Sequence, residues 1–577
     1  MPGPAPARPH DPATRDRTWA VRLLVCAALF AAAATRFGTR TIGEPEFDLW
    51  WMLVVGRVAG LRASFADPLS FTAGGTLHHN HTWLHCALLA AVERLGGLEG
   101  IWLLKVALAG GLTLAVLAVL WTRVRDPLAM LLLGTLGFGV FVVPWLLMRP
   151  QLWTYLAVLA LLALMQRERD EPGWRLLLAV PLIAVWQGLH GAAAIGVVLL
   201  ALETAGSTVG WLERPPSLRA ARGRWCALGG VLIVLCLAPY DLFATVTEKL
   251  GSLSQFPTTE WLPLWNPAAF QVAFPGRAGV VALAGMAAAV LAGAAVLAAA
   301  RRLRGGGYHR ELAFLVVILA LALQMIRNLP VLGLALVVLL AEPLDLVSAE
   351  RWRRVGRTPS YGWMSAASLA CGVVGLAGVA LARSRQAVGA DPSQYPVAAC
   401  AWLAREHPEG GNLMTDDPGG SFATWCLPRT WKVSIDGREE LLYPAAVLVD
   451  HRALSASTDA AGEVVARWKP DAVLLPAGLP IAHAPDALTG YAVRYRDPRF
   501  VLWLKDGSAA AGTHARALPD RERDLVGKDV ARKERAADAG LVQAGAVHVR
   551  FRQVDAAQVG LPEVGAAQVR PAEMGAP

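Results

Sequence analysis

Long apolar runs recur along this chain, and they constrain its fold more than any other feature. A helix needs roughly 20 mostly apolar residues to cross a bilayer. Hydrophobic residues make up 55% of the chain and charged residues only 17%, unlike the composition of soluble domains. The sequence therefore predicts an all-α polytopic membrane bundle of about 11 transmembrane helices. The predicted spans lie at about 18–36, 98–121, 127–147, 150–167, 174–188, 192–211, 224–243, 277–302, 309–326, 328–346 and 362–383.

The arginines predict which side of the membrane each loop faces. If the N-terminus is cytoplasmic and the short run 81–95 does not cross, every cytoplasmic connection is basic, for example around Arg123, Arg219 and Arg302. The opposite connections are 37–97, 148–149, 189–191, 244–276 and residue 327, and they are short or acidic to neutral. Positive loops stay inside, so this orientation is the expected one. The run 81–95 is accordingly expected to form an interfacial or re-entrant helix.

The two ends of the chain differ in character from the apolar part. Residues 1–17 are rich in proline and polar, which predicts a disordered cytoplasmic N-terminus before the first retained helix. The membrane domain is predicted at 18–384, with an outer loop at 37–97. Alternating strand-like segments and a helical segment in 390–507 predict a small C-terminal α/β extracytoplasmic domain. Residues 508–577 are biased in composition and predict a disordered tail.

The net charge of +9 does not indicate nucleic-acid binding, because the arginines lie in short loops where they orient a membrane protein. The seven cysteines show no CxxC pair and no zinc spacing. Cys400 and Cys426 both belong to the predicted outer domain, where a disulfide could form. Their pairing is left open by the sequence.

Five separate outer connections carry unusual polar residues. All five are predicted on the same side of the membrane, so these residues are candidates for one site. Alone, each has a simpler interpretation: the arginines could reach the headgroups, His190 could be a turn residue, and Glu260 a solvated carboxylate. Asp48 could cap the helix LWWMLVVGR, and Trp50 and Trp51 could be interfacial aromatics that set the depth of the loop. The candidates are Asp48, His81, Arg149, His190, Glu260 and Arg327.

The histidines of the first outer loop could serve a metal. His81 and His85 are spaced i, i+4 on one helical face, and two such residues can share an ion. No carboxylate completes a recognised zinc motif, so solvated or hydrogen-bonding roles remain the simpler interpretation. Asp48 is a second candidate metal ligand, for a divalent ion such as Mg or Mn.

A carboxylate and arginines at one membrane surface suit a particular substrate chemistry. The carboxylate can act as general base for an acceptor hydroxyl or hold a divalent cation. Arginines at the same depth can bind a phosphate through paired hydrogen bonds. A polyprenyl-phosphate sugar has its phosphate at this depth and its tail in the lipid, so Asp48 would be catalytic while Arg149, His190, Glu260, Arg327 and His81 would bind substrate and phosphate.

Short motifs in order along residues 18–505 resemble the GT-C-type integral membrane glycosyltransferases, in particular a group of largely uncharacterised bacterial polytopic proteins. The motifs are DLWW-x4-G (Asp48–Gly56), DPLSFT (67–72), H-x-WL (81–84), RPQ (149–151), LHG (189–191), EW (260–261), and GG (419–420) followed by IDGR (435–438). The resemblance implies a catalytic or metal-coordinating acid at Asp48 and a lipid-phosphate-linked sugar donor. Gln187, LAPYD (237–241) and TDDPGGSFATW depart from the expected pattern at positions that bear on donor contacts.

The predicted function is transfer of a sugar from a polyprenyl-phosphate donor to an envelope glycan, lipid or protein at the outer face of the bacterial inner membrane. Two alternatives stay open. A non-catalytic envelope assembly protein would use the outer domain as a binding module. A transporter of lipid-linked substrate would place polar residues at the bilayer midplane and show inverted repeats.

Overall fold

The computed structural model describes residues 12–38, 47–170, 174–213, 218–236, 291–303, 309–355, 388–484 and 487–507. The span predicted at 362–383 and the tail predicted at 508–577 lie outside the described residues. The helix α1 begins at Pro12, ahead of the apolar run that begins at residue 18, because its hydrogen bonding continues into the polar stretch.

Helices dominate the part of the chain before residue 356. They are α1 (Pro12–Phe37), α2 (Asp48–Ala59), α3 (Trp83–Arg123), α4 (Pro127–Leu133), α5 (Gln151–Asp170), α6 (Ala179–Leu189), α7 (Ala193–Glu213), α8 (Leu218–Cys236), α9 (His309–Gln324) and α10 (Leu329–Val355), and residues 291–303 are helical as well.

Four stretches of the described chain are long and apolar enough to cross a membrane. They are Thr18–Phe37, Trp83–Arg123, Pro127–Trp145 and Ile326–Arg351, and four shorter apolar helices accompany them. The chain is thus a polytopic helical membrane protein, while the number of eleven spans stays a prediction. The span predicted at 127–147 is not one regular helix, because α4 passes into a π-helix at Gly134–Val140 and a 3-10 turn at Val143–Trp145.

A break at Gly97 divides α3 into two helices. Gly97 has φ 58° and ψ −152°, a conformation that favours glycine. The segment before it is roughly 20 Å long, shorter than the ~30 Å hydrocarbon core. The helix predicted at 81–95 is therefore a separate element, which begins at Trp83 and ends at the break.

Residues 388–507 contain a five-stranded mixed sheet with helices around it. Its strand order is β4-β3-β5-β7-β6, with β3 parallel to β4 and β5, and with β7 antiparallel to β5 and β6. The elements are α11 (Val397–Glu406), β3 (Gly411–Thr415), α12 (Asp417–Cys426), β4 (Trp431–Val433), α13 (Ala445–Ala456), α14 (Thr458–Trp468), β5 (Ala472–Pro476), β6 (Tyr491–Arg496) and β7 (Phe500–Lys505). Its location outside the membrane stays a prediction.

The first outer loop extends this sheet. The loop folds on itself through the antiparallel hairpin β1 (Ser64–Ala66) and β2 (Leu77–His79). The DPLSFT motif between these strands then lies along the free edge of β4: Phe71 N–H donates to Val433 O, and Val433 N–H donates to Leu69 O, each at 3.1 Å. An edge strand paired in this way no longer exposes its backbone groups, so the motif joins the two parts of the chain.

The paired tryptophans of α2 face the C-terminal domain rather than the lipid. Trp50 is 0% exposed and Trp51 is 2% exposed, so the prediction of interfacial tryptophans that set the depth of the loop is wrong. Packing against the C-terminal domain buries their rings more completely than a headgroup layer would. The ring of Trp50 lies 4.7–5.5 Å, between centroids, from those of Trp425, Phe422 and Tyr395.

Candidate functional site

Asp48 is the first residue of α2 and lies where the helical part meets the C-terminal domain. The N-cap is Phe47, and no side chain caps this helix, so the predicted capping role of Asp48 is wrong. Its Oδ1 instead accepts a hydrogen bond from Trp51 Nε1 at 3.0 Å, one helical turn further on. The indole thereby fixes the carboxylate in one orientation.

Arg149 faces the other oxygen of this carboxylate. Its Nη2 lies 3.8 Å from Asp48 Oδ2, at the outer limit of an ion pair. The Asp48 side chain keeps 28% of its surface exposed and that of Arg149 keeps 11%. The long separation and the partial exposure of Asp48 distinguish this pair from a closed structural salt bridge. The prediction that these two residues share one site is therefore supported by their geometry.

The IDGR motif covers this carboxylate from the side of the C-terminal domain. A Cβ atom on Gly437 would lie 2.8 Å from Asp48 Oδ1 and 2.6 Å from Trp51 Nε1. The Gly437 N–H donates to Ser421 Oγ at 2.8 Å, which ties the turn to α12. Only glycine allows the backbone to come this close, so the motif's glycine has a direct role in shaping the site.

The GG motif allows the same turn to approach α12. A Cβ atom on Gly420 would lie 1.8 Å from Ile435 O, so no side chain fits there. The GG and IDGR motifs, which are far from DLWW in sequence, thus meet each other and Asp48 at one place.

A buried ion network fastens this turn to the first outer loop. Arg438 is fully buried, and its guanidinium binds Asp436 at 2.7 Å and Asp67 at 2.6 Å. The network thus joins Asp436 and Arg438 of the IDGR motif to Asp67 of the DPLSFT motif. Burial acts to raise the pKa of Asp67, but Arg438 and hydrogen bonds from Ser70 and Leu69 outweigh it and lower that pKa.

A second carboxyl pair lies behind Asp48. Asp417 is buried at the start of α12 and hydrogen-bonds to Glu439. Burial raises the pKa of Asp417 well above its usual value, and the charges of Glu439, Asp48 and Asp436 raise it further. The raised pKa favours the neutral form of Asp417, which reduces the repulsion between its carboxyl group and the neighbouring carboxylates. Sequence analysis missed Asp417 and Glu439, since neither belongs to a recognisable spacing with Asp48.

The histidines lie on a neighbouring wall made by the outer ends of α3, α5 and α6. Thr154 Oγ1 lies 2.7 Å from His190 Nδ1 and accepts from Trp186 Nε1 at 2.9 Å. A Cβ atom on Gly191 would lie 3.1 Å from the His81 ring, so His81 and His190 are brought to the same hairpin. Both are fixed by packing rather than free in a loop.

A metal centre does not emerge from the described part of the chain. Among those residues, no group of three or more His, Cys, Asp or Glu side chains is placed to hold an ion. The His85 Nδ1 accepts from Trp153 Nε1 at 3.1 Å, which removes it from a shared site with His81. The Arg149 guanidinium beside Asp48 also disfavours a second cation there. Asp48 as a possible ligand of Mg or Mn stays a prediction.

Arg327 and Glu260 complete the set of predicted site residues. Arg327 is half-buried in the 3-10 turn Ile326–Asn328 that precedes α10. Glu260 lies outside the described residues. Their predicted contacts with a phosphate stay predictions.

Comparison with known proteins finds solved structures that are similar to this chain. No family model and no curated protein matches the sequence. The chain is similar to ArnT from Cupriavidus metallidurans, solved with bound undecaprenyl phosphate. The alignment covers 85% of this chain and 99% of ArnT, at 15% identity and a TM-score of 0.36. ArnT is of the GT-C type that the sequence resembles, but at this TM-score no residue role is transferred from it.

Proposed function

We propose that the chain is an integral membrane glycosyltransferase that moves a sugar from a polyprenyl-phosphate donor to an envelope acceptor at the outer face of the inner membrane. The observation that carries this proposal is the meeting of Asp48 and Arg149. An oriented, accessible carboxylate lies beside a guanidinium, at the junction of a helical membrane bundle and an α/β domain.

The two groups can divide the chemistry of sugar transfer between them. Trp51 orients Asp48 through Oδ1, and in the proposed reaction the carboxylate accepts the proton of the acceptor hydroxyl. The hydroxyl oxygen then bonds to the anomeric carbon as the bond from that carbon to the phosphate oxygen breaks. Arg149 stabilises the negative charge that grows on the departing phosphate. The turn around Gly437 covers the acid and restricts the water that would otherwise compete with the acceptor.

The substitution Asp48→Asn tests this proposal. Asparagine keeps the shape and can still accept from Trp51, but it cannot take a proton. Transfer from a polyprenyl-phosphate sugar should fall by roughly 10²- to 10⁴-fold, with insertion and thermal stability unchanged. Asp459→Asn, on an exposed first turn of α14, is the matched control and should transfer as the parent does.

Equal turnover by the parent and Asp48→Asn would refute the catalytic assignment. The two other functions make different demands on the structure. A transporter would need ionisable groups along a path at mid-depth of the bilayer. A scaffold protein would tolerate Asp48→Asn without loss of envelope assembly.

A further inference from the structure

Polar atoms without hydrogen bonds gather where α3 and α5 begin. Within the described residues, the buried side-chain atoms of this kind include Trp83 Nε1, His85 Nε2 and Gln151 Oε1. A buried donor or acceptor left unsatisfied costs roughly 1–3 kcal/mol, so folded proteins rarely keep several together. Their concentration at one end of the bundle indicates that a polar molecule supplies the missing partners.

His85 presents a hydrogen-bond donor whose direction is fixed. The indole Nε1 of Trp153 can only donate, and it lies 3.1 Å from His85 Nδ1, so this ring nitrogen carries no hydrogen. The hydrogen of the neutral imidazole is therefore on Nε2. His85 is 0% exposed, and its Nε2–H has no acceptor among the described residues.

The three residues belong to one packed wall that adjoins the candidate site. A Cβ atom on Gly188 of α6 would lie 3.2 Å from Cε2 of the Trp83 indole, which places this ring against α6. Gln151 begins α5, two residues before Trp153. Arg149, two residues before Gln151, reaches Asp48. The unpartnered atoms are therefore next to the place where the phosphate is expected.

Their chemistry differs from that of a phosphate site. A phosphate oxygen only accepts, so Gln151 Oε1 would face another acceptor and repel it. A hydroxyl both donates and accepts, and it can satisfy Gln151 Oε1 together with an N–H from Trp83 or His85. Neutral donors, a neutral acceptor and indole faces suit an uncharged polyhydroxylated ring, whose C–H surfaces pack on aromatic rings while its hydroxyls bind at the edges.

We propose that Trp83, His85 and Gln151 form the subsite that binds the hydroxyl groups of the donor's sugar, with Arg149 beside it for the phosphate. The inference rests on the proposed function and names which residues select the sugar. Discrimination should be strong, because a site built to hydrogen-bond a hydroxyl leaves buried groups unpaired when the hydroxyl is missing.

Binding of bare and glycosylated lipid phosphates to the full chain in nanodiscs tests this inference. The probes are undecaprenyl phosphate and a panel of its glucose, mannose, galactose and N-acetylglucosamine conjugates, with affinity measured by native mass spectrometry. Gln151→Leu should reduce the preference for the best glycosylated lipid by roughly five- to tenfold, and leave the affinity for the bare lipid phosphate unchanged. Gln151→Met, closer in shape, serves if the leucine variant is unstable.

Gln166→Leu is the matched control on the same helix. Gln166 donates to Val338 O at 2.8 Å near the opposite end of α5, so its loss should not change either affinity. Asp48→Asn should keep the preference for the glycosylated lipid, because it removes the base and leaves the subsite intact.

Four results would overturn the inference. Equal weakening of bare and glycosylated lipids by Gln151→Leu would make Gln151 a phosphate contact. Unchanged binding of the glycosylated lipid by Gln151→Leu would mean that only water fills the subsite. A parent that binds the bare lipid phosphate without any preference for a sugar would mean the same. A parent that binds neither the bare nor the glycosylated lipids would overturn the proposed function as well, which separates that failure from the other three.

Discussion

Above Asp48, the position of Gly437 has room for a hydrogen atom and for nothing larger. The site depends on glycine at this position, because a Cβ atom here would clash with both the Asp48 carboxylate and the Trp51 indole that orients it. Asp48 and Arg149 carry the proposed chemistry, while Trp51 and Gly437 set where the carboxylate can lie. Residues that never contact substrate can therefore control the rate through the position of the acid.

Gly437→Ala tests this control at the scale of one residue. The added Cβ would lie 2.8 Å from Asp48 Oδ1, so the turn or the carboxylate must move. Overpacking of this kind costs about 1–3 kcal/mol, and the displaced acid should lower the transfer rate by tenfold or more. Transfer rate and thermal unfolding of the purified variant are the measurements.

Gly478→Ala provides the control for the glycine substitution. Nothing lies within 4 Å of a Cβ atom at Gly478, in the same domain, so this variant should behave as the parent. Parent-like transfer by Gly437→Ala would show that the turn does not restrain Asp48.

Helices α11 and α12 bring together the two cysteines whose pairing the sequence left open. Cys400 of α11 is buried, and its thiol interacts with that of Cys426 at the end of α12. Burial, followed by the nearby Cys400 thiol, raises the pKa of Cys426 well above its usual value. Phe422 of α12 stacks on Tyr395, which lies two residues before α11, with ring centroids 5.2 Å apart, and Trp50 packs against both rings. These helices therefore support the face that covers α2.

The two thiols should form a disulfide when the domain folds in an oxidising compartment. Maleimide labelling of unfolded protein, with and without reductant, should protect this pair and leave Cys26 and Cys226 reactive in both. Cys400→Ser and Cys426→Ser should each lower the free energy of unfolding by about 2–4 kcal/mol in non-reducing buffer. Full labelling of Cys400 without reductant would contradict the prediction and the outer location on which it depends.

The whole molecule is held together at the interface between the outer loop and the C-terminal domain. Backbone pairing of DPLSFT with β4, the aromatic rings around Trp50 and the network around Arg438 all act across this interface. His78 lies behind it, and burial, with the charge of Arg438 as a smaller cause, lowers its pKa to about 3. The interface excludes water from these groups, so its loss would open the candidate site.

Removal of the central cation should separate the two parts. Arg438→Met leaves Asp67 and Asp436 buried without their partner, and breaking a buried pair in this way costs roughly 3–5 kcal/mol. Thermal unfolding and limited proteolysis near residues 67–72 should both report the loss. Arg429→Met, at an exposed position of the same domain, should leave both unchanged. Equal protease resistance of the two variants would show that the network does not hold the domain in place.

The sequence by itself determined the helical membrane class and the separate short helix before Gly97, and it named Asp48 and Arg149 as candidate site residues. The lengths of the hydrophobic runs and the positions of the charges predict these features, because each feature depends on residues that are close together in the chain. Only the tertiary structure decided that GG and IDGR meet DLWW, that Trp50 faces a domain rather than lipid, and that Asp67 pairs with Arg438. Those contacts join segments hundreds of residues apart, and the periodicity of one segment carries no information about which distant backbone will lie against it.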